Sequence, residues 1–324
     1  MVSTEQFEQA LRQAQASALS QHGSGQVGLF GPESMFWQVN REAVLLLGGG
    51  AAALLQLAHP FVAQAVRDHS RVQHDVAGRF RRTFVRVLTM AFGDLDSALQ
   101  AARRVRAIHD RTSGRLDESL GRFAQGSQYA ASSEEALLWV LATLIHTGQR
   151  VFGQLVRPLS RAEQEQLFSS GRPQALLFGL LPSQLPADWA AFERYYAGML
   201  DSDALVVGAA GRELAEHILT PPNRAMRPFY RFMRAYTASL LPDRLRQAFG
   251  LPLGAAERAL LAATLPALRL SLRALPPAAR YFPAYLDAQR RLRGVRGEAR
   301  LSHTLARRAL RLLRPSFALR DLFS

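Results

Sequence analysis

The chain of 324 residues contains no cysteine and no lysine. The lack of cysteine excludes disulfides, thiolate-bound metals and cysteine nucleophiles. All 40 basic residues are therefore arginine, set against 26 acidic residues, and the formal net charge is +14. Because arginine is used uniformly, the charge indicates a compositional bias more than a surface adapted to one partner, and we expect no nucleic-acid partner.

The chain also lacks an apolar N-terminus and a long uninterrupted apolar run. Its first residues, MVSTEQFEQALRQ, are polar and amphipathic, unlike a secretory signal peptide. The most apolar stretch, residues 43–55, is interrupted by three glycines and is too short for a membrane span of about 20 residues. We therefore expect a cytoplasmic protein in which this stretch forms a buried helix.

Strand signals are scarce and helix signals are frequent. No stretch shows the alternation of apolar and polar residues that is typical of a β-hairpin. Helices are predicted over about 40–58, 76–92 and 95–113, with Pro60 breaking or kinking the first and Gly114 capping the last. Further helix starts are predicted by capping-box pairs. The pairs are Ser3 with Gln6, Ser132 with Glu135, and Ser160 with Glu163. The sequence thus predicts an all-α protein, a single large helical domain with globin-like or bundle-like packing.

His109 is the leading candidate for a metal-ligating residue. It falls on or beside the apolar stripe of its predicted helix, near the C-terminal end, with Arg106 one turn earlier. Imidazole is a common axial ligand of haem iron, and arginine is a good partner for the haem propionates. The alternative is a core histidine bonded to a carbonyl, with the arginines in solvent.

A second group of candidates follows the apolar stretch. His59 ends the predicted buried helix, and His69 follows ten residues later. Arg79, Arg82 and Thr83 share one helix face at spacings of three and four, which suits an anion or a propionate. The alternative for these three residues is a solvated surface stripe.

Other kinds of site fit the sequence poorly. It contains no His-Glu-x-x-His zinc motif, no Walker A loop and no dinucleotide-binding fingerprint. The triplet Gly48–Gly50 lies in a helical run without a preceding strand. We expect it to permit the close approach of another helix or of a flat cofactor, because glycine carries no side chain.

Six stretches, taken in order, together resemble one known family. They are WQVNREAVLLLGGGAAALLQLAHPFVAQAVRDHS (37–70), RFRRT (79–83), RVRAIHDRTSG (104–114), LLWVLATLIHT (137–147), LVRPLSRAEQEQ (155–166) and LLPDRLRQAFGL (240–251). The family is that of the MpaB-type oxygenases, which includes the rubber oxygenases (latex-clearing proteins). The resemblance spans roughly residues 27–293.

This resemblance implies an all-α fold that holds a b-type haem and reacts with molecular oxygen. It implies that His109 ligates the iron and that Arg79, Arg82 and Thr83 lie beside the haem. Arg82 stands where the rubber oxygenases have lysine, and Ala63 stands near the position of their glutamate base. Arginine effectively keeps its proton and alanine cannot act as a base, so we expect chemistry that differs from rubber cleavage.

We therefore expect a haem-b-dependent oxygenase or related oxidoreductase that uses O2 and a hydrophobic small molecule. The expected catalytic residues are Arg79, Arg82, Thr83 and His69, and the expected cofactor contacts are His109, Arg79, Arg106, Gly49 and His59. The alternative is a non-catalytic haem carrier or sensor. Many family members carry histidine where Leu141 stands, whereas this chain has His146 on the same predicted helix.

Three segments are expected along the chain. An N-terminal helix and loop (1–26) precede the oxygenase domain (27–295), and a basic helix (296–324) follows it. Residues 299–314 have an amphipathic pattern, and such a helix could make weak contact with an anionic membrane surface or touch nucleic acid. The alternative is that the leucines of this helix pack on the main domain and its arginines face solvent.

Overall fold

The computed structural model describes residues 2–69, 87–295 and 297–312. Arg79, Arg82 and Thr83, with most of the helix predicted over 76–92, lie outside the described residues. Helices dominate the described part of the chain, as the sequence predicts for an all-α fold, and this prediction is confirmed.

The N-terminal half of the described chain is mostly helical. They are α1 (Thr4–His22), α2 (Met35–Asn40), α3 (Gly49–Leu57), α4 (Pro60–His69), α5 (Leu95–His109) and α6 (Glu134–Leu155). Residues 87–92 are also helical. Short 3-10 segments cover Gly25–Val27 and Ala43–Gly48.

The C-terminal half continues as shorter helices separated by prolines and glycines. They are α7 (Arg161–Gly171), α8 (Gln174–Leu177), α9 (Trp189–Asp201), α10 (Ala209–Leu219), α11 (Arg227–Leu240), α12 (Asp243–Ala248), α13 (Ala255–Ala274), α14 (Pro277–Arg280), α15 (Pro283–Leu292) and α16 (Arg300–Leu312). Two 3-10 segments, Pro182–Gln184 and Arg224–Met226, lie between them.

Local capping sets two of the predicted helix starts. The Ser3 hydroxyl accepts the Gln6 N–H at 3.1 Å, and the Gln6 side chain accepts the Ser3 N–H at 2.9 Å. Ser160 and Glu163 form the same reciprocal pair. Both predicted capping boxes are confirmed, because each depends only on residues three positions apart.

The third predicted capping box, at Ser132 and Glu135, is wrong. Helix α6 starts at Glu134, and its cap residue is Ser133, whose side chain makes no capping hydrogen bond. The carboxylate of Glu135 bonds instead to side chains distant in sequence. A tertiary interaction thus replaces the local one that the sequence pattern suggested.

A short pair of strands forms although the sequence shows no alternating pattern there. Ser113–Arg115 pairs antiparallel with Gln128–Ala130, and Gly114 lies opposite Tyr129 in this pairing. Gly114 is therefore a strand residue, and α5 ends at His109 without it. Strands of three residues are too short to show the alternating pattern by which strands are recognised in sequence.

The helix predicted over 40–58 is interrupted. The 3-10 segment Ala43–Gly48 leads into α3, and α4 starts at Pro60 after a bend of 103°. The predicted break at Pro60 is confirmed, and its cause is that proline has no N–H with which to continue α3. Among the described residues no single helix has the length and hydropathy of a membrane span, although this bent pair meets that criterion jointly.

Helix α3 forms the centre of the fold, with α6, α10 and α11 packed around it. Glycines allow these neighbours to approach its backbone. A Cβ atom at Gly48 would lie 2.8 Å from methyl carbons of both Thr147 and Val151. A Cβ atom at Gly211 would lie 2.8 Å from the carbonyl oxygen of Leu57. The expectation that the glycine triplet permits helix approach is confirmed at Gly48.

A buried ion pair joins the two ends of the domain. The carboxylate of Glu42 is 1% exposed and accepts two hydrogen bonds from the Arg280 guanidinium, both at 2.8 Å. Next to this pair, the Phe282 N–H donates to the Arg41 carbonyl at 3.0 Å. Because removing either partner would leave a buried charge, the pair holds α14 against the segment that precedes α3.

The C-terminal helix α16 is attached through its polar side. The ring of His303 contacts the Asp287 carboxylate at 2.6 Å, and Ser302 is buried. Leu301 and Leu305 are 64% and 36% exposed. For the described side chains, the interpretation that the leucines pack on the main domain is therefore wrong. Contact of this helix with a membrane stays a prediction.

The glycine packing around α3 yields a paired stability prediction. Gly48→Ala should lower the free energy of unfolding by about 1–3 kcal/mol, because its methyl group meets two β-branched side chains. Gly49→Ala is the matched control, since nothing lies within 4 Å of its added Cβ. Urea unfolding followed by circular dichroism measures both, and equal midpoints for the two variants would contradict this packing.

Candidate functional site

His59 lies at the bend between α3 and α4, where the chain turns inside the core. Its side chain is fully buried, and its backbone N–H donates to the Gln56 carbonyl at 3.1 Å. The ring Nε2 is 3.1 Å from Oε1 of Glu135, on the first turn of α6. The bend at Pro60 therefore directs an imidazole toward a carboxylate from another helix.

Glu135 is held in its charged form. The hydrogen bond from His59 keeps the pKa of Glu135 below its ordinary value, against the opposing effect of burial, and the nearby charge of Arg122 adds to the shift. Arg122 also donates a hydrogen bond to the same carboxylate. An ionised carboxylate only accepts hydrogen bonds, so Nε2 of His59 carries the proton in this contact.

This tautomer leaves Nδ1 of a neutral His59 with a lone pair. Nδ1 is buried and has no hydrogen-bond partner in the part of the chain that the structure describes. A carboxylate that orients one ring nitrogen and leaves the other available is the arrangement found in proton-transferring and metal-ligating histidines. His59 is therefore chemically equipped to accept a proton or to coordinate a metal.

Aromatic rings adjoin His59. Its ring centroid lies 5.7 Å from that of Phe61 and 5.5 Å from that of Phe123, and these two phenylalanines are 4.5 Å apart. Phe61 continues the contact to Tyr129 at 6.4 Å, and Tyr129 meets His69 edge to face at 6.2 Å. A chain of ring contacts thus connects His59 with His69.

The far end of this chain is polar. The Tyr129 hydroxyl donates to Asp68 at 2.7 Å, and burial together with this bond raises the pKa of Tyr129. Gln64 donates to both oxygens of Asp68 at 3.0 and 3.1 Å. The ring Nε2 of His69 is 2.9 Å from the Ser113 carbonyl, which it can reach only as a donor. The hairpin thereby anchors the end of α4.

Tyr195 adds a hydroxyl near the same carboxylate. Burial raises its pKa, and the negative charge of Glu135 raises it further. Its oxygen is buried without a hydrogen-bond partner among the described residues. Tyr195 therefore stays protonated and offers a donor on the α9 side of the site.

His109 is half-buried at the last position of α5. Arg106, one turn earlier, pairs with Asp110 at 2.7 Å and donates to the Val2 carbonyl at 2.7 Å. Arg106 is thus engaged in attaching the N-terminal segment, although it is also a predicted cofactor contact. Ser113, which accepts from His69, follows His109 by four residues, so the two histidines border the same strand.

The remaining candidates are positioned differently. Gly49 is the first residue of α3 and has open space beside it. His146 stacks on Tyr196 with ring centroids 3.8 Å apart. Burial is the main cause that lowers the pKa of His146 to about 4, so this ring is neutral at physiological pH. The structure brings His59 and His69 together through aromatic rings, while Arg79, Arg82 and Thr83 lie outside the described residues.

Sequence reasoning missed Glu135, Arg122 and Tyr195 as site residues. Glu135 was assigned to a helix cap, although its main partner, His59, lies 76 positions away. No local pattern signals such a pair, because only the packing of α6 on α3 brings the two residues together. The only signal in the sequence was that His59 ends a predicted buried helix and precedes Pro60.

The donors present suit a haem. Its iron takes imidazole as an axial ligand, and its macrocycle requires apolar surroundings. The described residues provide two histidines that are at least half-buried, His59 and His109, and the rings of Phe61 and Phe123 adjoin His59. Among the described residues no group of three or more His, Asp or Glu side chains could hold a bare metal ion, and one axial imidazole does not need such a group.

Fold and site together define an all-α domain in which a buried histidine contacts a partly exposed carboxylate. Residues 36–270 match the family model described as ER-bound oxygenase mpaB/B'/Rubber oxygenase, catalytic domain. The chain therefore belongs to this family of oxygenase catalytic domains, and the resemblance inferred from the sequence is confirmed. No curated protein and no solved structure matches the chain.

Removing Glu135 should destabilise the fold. Glu135→Ala leaves Nε2 of the buried His59 without its acceptor, which should cost about 1–3 kcal/mol in unfolding free energy at neutral pH. Ionised Glu135 stabilises the native state above its ordinary pKa, and this contribution is lost as the pH falls through its lowered pKa. Urea unfolding should therefore show a difference in unfolding free energy between wild type and Glu135→Ala that is smaller at acid pH than at neutral pH.

The control for Glu135 is its other partner, Arg122, whose side chain is 42% exposed. Arg122→Ala should cost at most about 1 kcal/mol, as is usual for exposed ion pairs. Equal destabilisation by the two substitutions would contradict a stabilising hydrogen bond between Glu135 and the buried His59.

The neutral His146 makes a separate pH prediction. Between its ordinary pKa of 6.5 and its native value of about 4, the unfolded chain binds a proton that the native chain does not. Stability should therefore fall by up to about 3 kcal/mol from this residue as the pH decreases through that range. His146→Phe keeps a ring against Tyr196 and should flatten the dependence of the unfolding free energy on pH in this range. His217→Phe, on an exposed position of α10, is the control and should leave that dependence unchanged.

Proposed function

We propose that this chain is a haem-dependent oxygenase that acts on a hydrophobic organic substrate. Membership of an oxygenase family supports the oxidative part of the proposal. The observation that carries the rest is the buried His59, oriented by Glu135 and adjoined by phenylalanine rings. Such a site combines apolar walls with one polar group able to exchange a proton.

His109 is the residue that would hold the iron of the haem. The resemblance of RVRAIH to the ligand segment of the rubber oxygenases supports this choice, as does the half-buried position of the ring at the end of α5. Gly49 and Arg106 remain proposed contacts of the group, and Arg79, Arg82 and Thr83 remain proposed residues beside it. When bound, the haem would supply the iron at which molecular oxygen is reduced.

The proposed role of His59 is to hold and move a proton. Its Nδ1 is buried without a hydrogen-bond partner among the described residues, so this nitrogen could accept a proton from a donor placed beside it. The positive charge that results on the ring is stabilised by Glu135 across the Nε2 hydrogen bond. His69, at the other end of the ring chain, is a proposed second polar residue of the pocket.

The proposed role of His59 as the proton acceptor is compatible with the alanine at position 63. Ala63 is buried in an apolar cluster with Leu57, Ala210 and Leu214, and alanine itself carries no carboxylate. The His59–Glu135 pair would then supply the proton acceptor that the rubber oxygenases obtain from glutamate near this position. The reaction is accordingly proposed to differ from rubber cleavage.

A second candidate function is haem binding without turnover, as in a carrier or a sensor. The same buried apolar position of Ala63 favours it, because the base known from the rubber oxygenases is missing. Oxygen consumption separates the two functions. An enzyme consumes O2 with at least one member of a panel of apolar substrates, whereas a carrier binds haem and consumes none.

The ligand proposal is tested by absorption spectroscopy of protein purified from cells supplied with a haem precursor. Wild type should show a Soret band, and His109→Ala should lose most of it because the iron loses its axial imidazole. His59→Ala should keep the band but lose oxygen consumption. His217→Ala, an exposed histidine, is the matched control and should keep both.

Two results would decide against this assignment. A colourless wild-type protein from haem-replete cells excludes a haem function altogether. Loss of the band in His59→Ala but not in His109→Ala would exchange the proposed roles of the two histidines.

A further inference from the structure

Three arginines follow one face of α11, on residues that the candidate active site does not use. Arg227, Arg231 and Arg234 are spaced four and three positions apart, so their side chains project from the same side of the helix. Tyr230 lies between them on this face. Together with Glu257 they line a cleft of about 200 Å³, which we call the arginine cleft.

The floor of the arginine cleft is apolar. It is formed by Ala235 and Leu251, both almost fully buried, and by Pro252. The cleft is smaller than the roughly 300–1,000 Å³ of sites that enclose a drug-sized ligand. It therefore fits a small molecule or the head group of a larger one.

The three guanidinium groups are exposed and form no ion pair with any residue that the structure describes. Other arginines of the chain pair with acids, as Arg280 does with Glu42. Of the described residues that line the cleft, Glu257 alone carries a carboxylate, and its Oε2 accepts the Gly254 N–H at 2.8 Å. Three positive charges against one negative charge leave the cleft with a net charge of +2.

Tyr230 adds a neutral donor. Burial raises the pKa of Tyr230, so its hydroxyl keeps its proton and can donate to an anion. Its ring also offers an apolar surface beside the guanidinium groups. The cleft thus combines charged donors, one neutral donor and an apolar floor.

We propose that the arginine cleft binds the phosphate group of a phosphate monoester that carries an apolar substituent. A guanidinium presents a planar fork of N–H donors that matches phosphate oxygens. A phosphate monoester offers three terminal oxygens and close to two negative charges, enough for three arginines, whereas a carboxylate offers two oxygens and one charge. The apolar floor favours a substituent over free inorganic phosphate.

The proposal is tested by calorimetric titration with phenyl phosphate, with benzoate as the carboxylate comparison. Arg231→Gln should weaken phenyl phosphate binding about tenfold or more, because one charged hydrogen-bond donor is lost. Arg273→Gln, an exposed arginine of α13 outside the cleft, makes the same charge change and should leave binding unaltered. Glu257→Gln should tighten binding, since it removes the repelling charge and keeps an acceptor for Gly254.

A parallel arm distinguishes a soluble ester from a lipid head group. Co-sedimentation with phosphatidylcholine vesicles, with and without phosphatidic acid, is measured for the same variants. If the protein binds phosphatidic acid vesicles but not phenyl phosphate, and the variants rank in the expected order of affinity, the phosphate belongs to a lipid. This result also supports the proposal.

Three outcomes would overturn it. The first is that the protein binds neither phenyl phosphate nor phosphatidic acid vesicles. The second is that Arg231→Gln and Arg273→Gln lose the same amount of affinity. The third is that benzoate binds as tightly as phenyl phosphate. None of these readouts requires haem or turnover, so they are independent of the proposed oxygenase function.

Discussion

The close packing of helices around α3 is the constraint on which the rest of the structure depends. Gly48, Gly50 and Gly211 remove the side chains that would keep α6, α11 and α10 apart from it, and a Cβ atom at Gly50 would lie 2.5 Å from the Thr237 hydroxyl. Because α3 is enclosed, the residue that follows its end is enclosed as well. His59 is therefore buried by the position of the helix, and its polar ring needs a partner inside the core.

Glu135 is that partner, and it connects the core to the surface. It accepts from the buried imidazole on one side and from the half-exposed Arg122 on the other. Helix α11 connects core and surface in a similar way. Its buried residues, such as Thr237, face α3, while Arg227 and its neighbours line a cleft at the surface. The polar features of this helical protein thus lie where helices meet the central apolar one.

The sequence predicted interactions between neighbouring residues more accurately than interactions between residues far apart in the chain. The caps at Ser3 and Ser160 were predicted correctly, because every atom involved lies within three residues. The cap at Ser132 was predicted by the same pattern and does not form, because Glu135 has a stronger partner across the fold. The hairpin at Ser113–Arg115 gave no signal, since three residues are too few for a period to be visible.

By itself the sequence determined that the protein is helical and that its apolar helix ends before Pro60. It also determined that the ordered motifs are those of an oxygenase family. These features depend on local residue spacing and on the order of motifs along the chain. The sequence also pointed to His59 and His109 through residue chemistry alone. Only the tertiary structure decided that His59 faces Glu135 and that the arginines of α11 line a cleft in which none of them forms an ion pair with another described residue. The physical reason is that burial and pairing depend on which helices pack together, and that packing is a property of the whole chain.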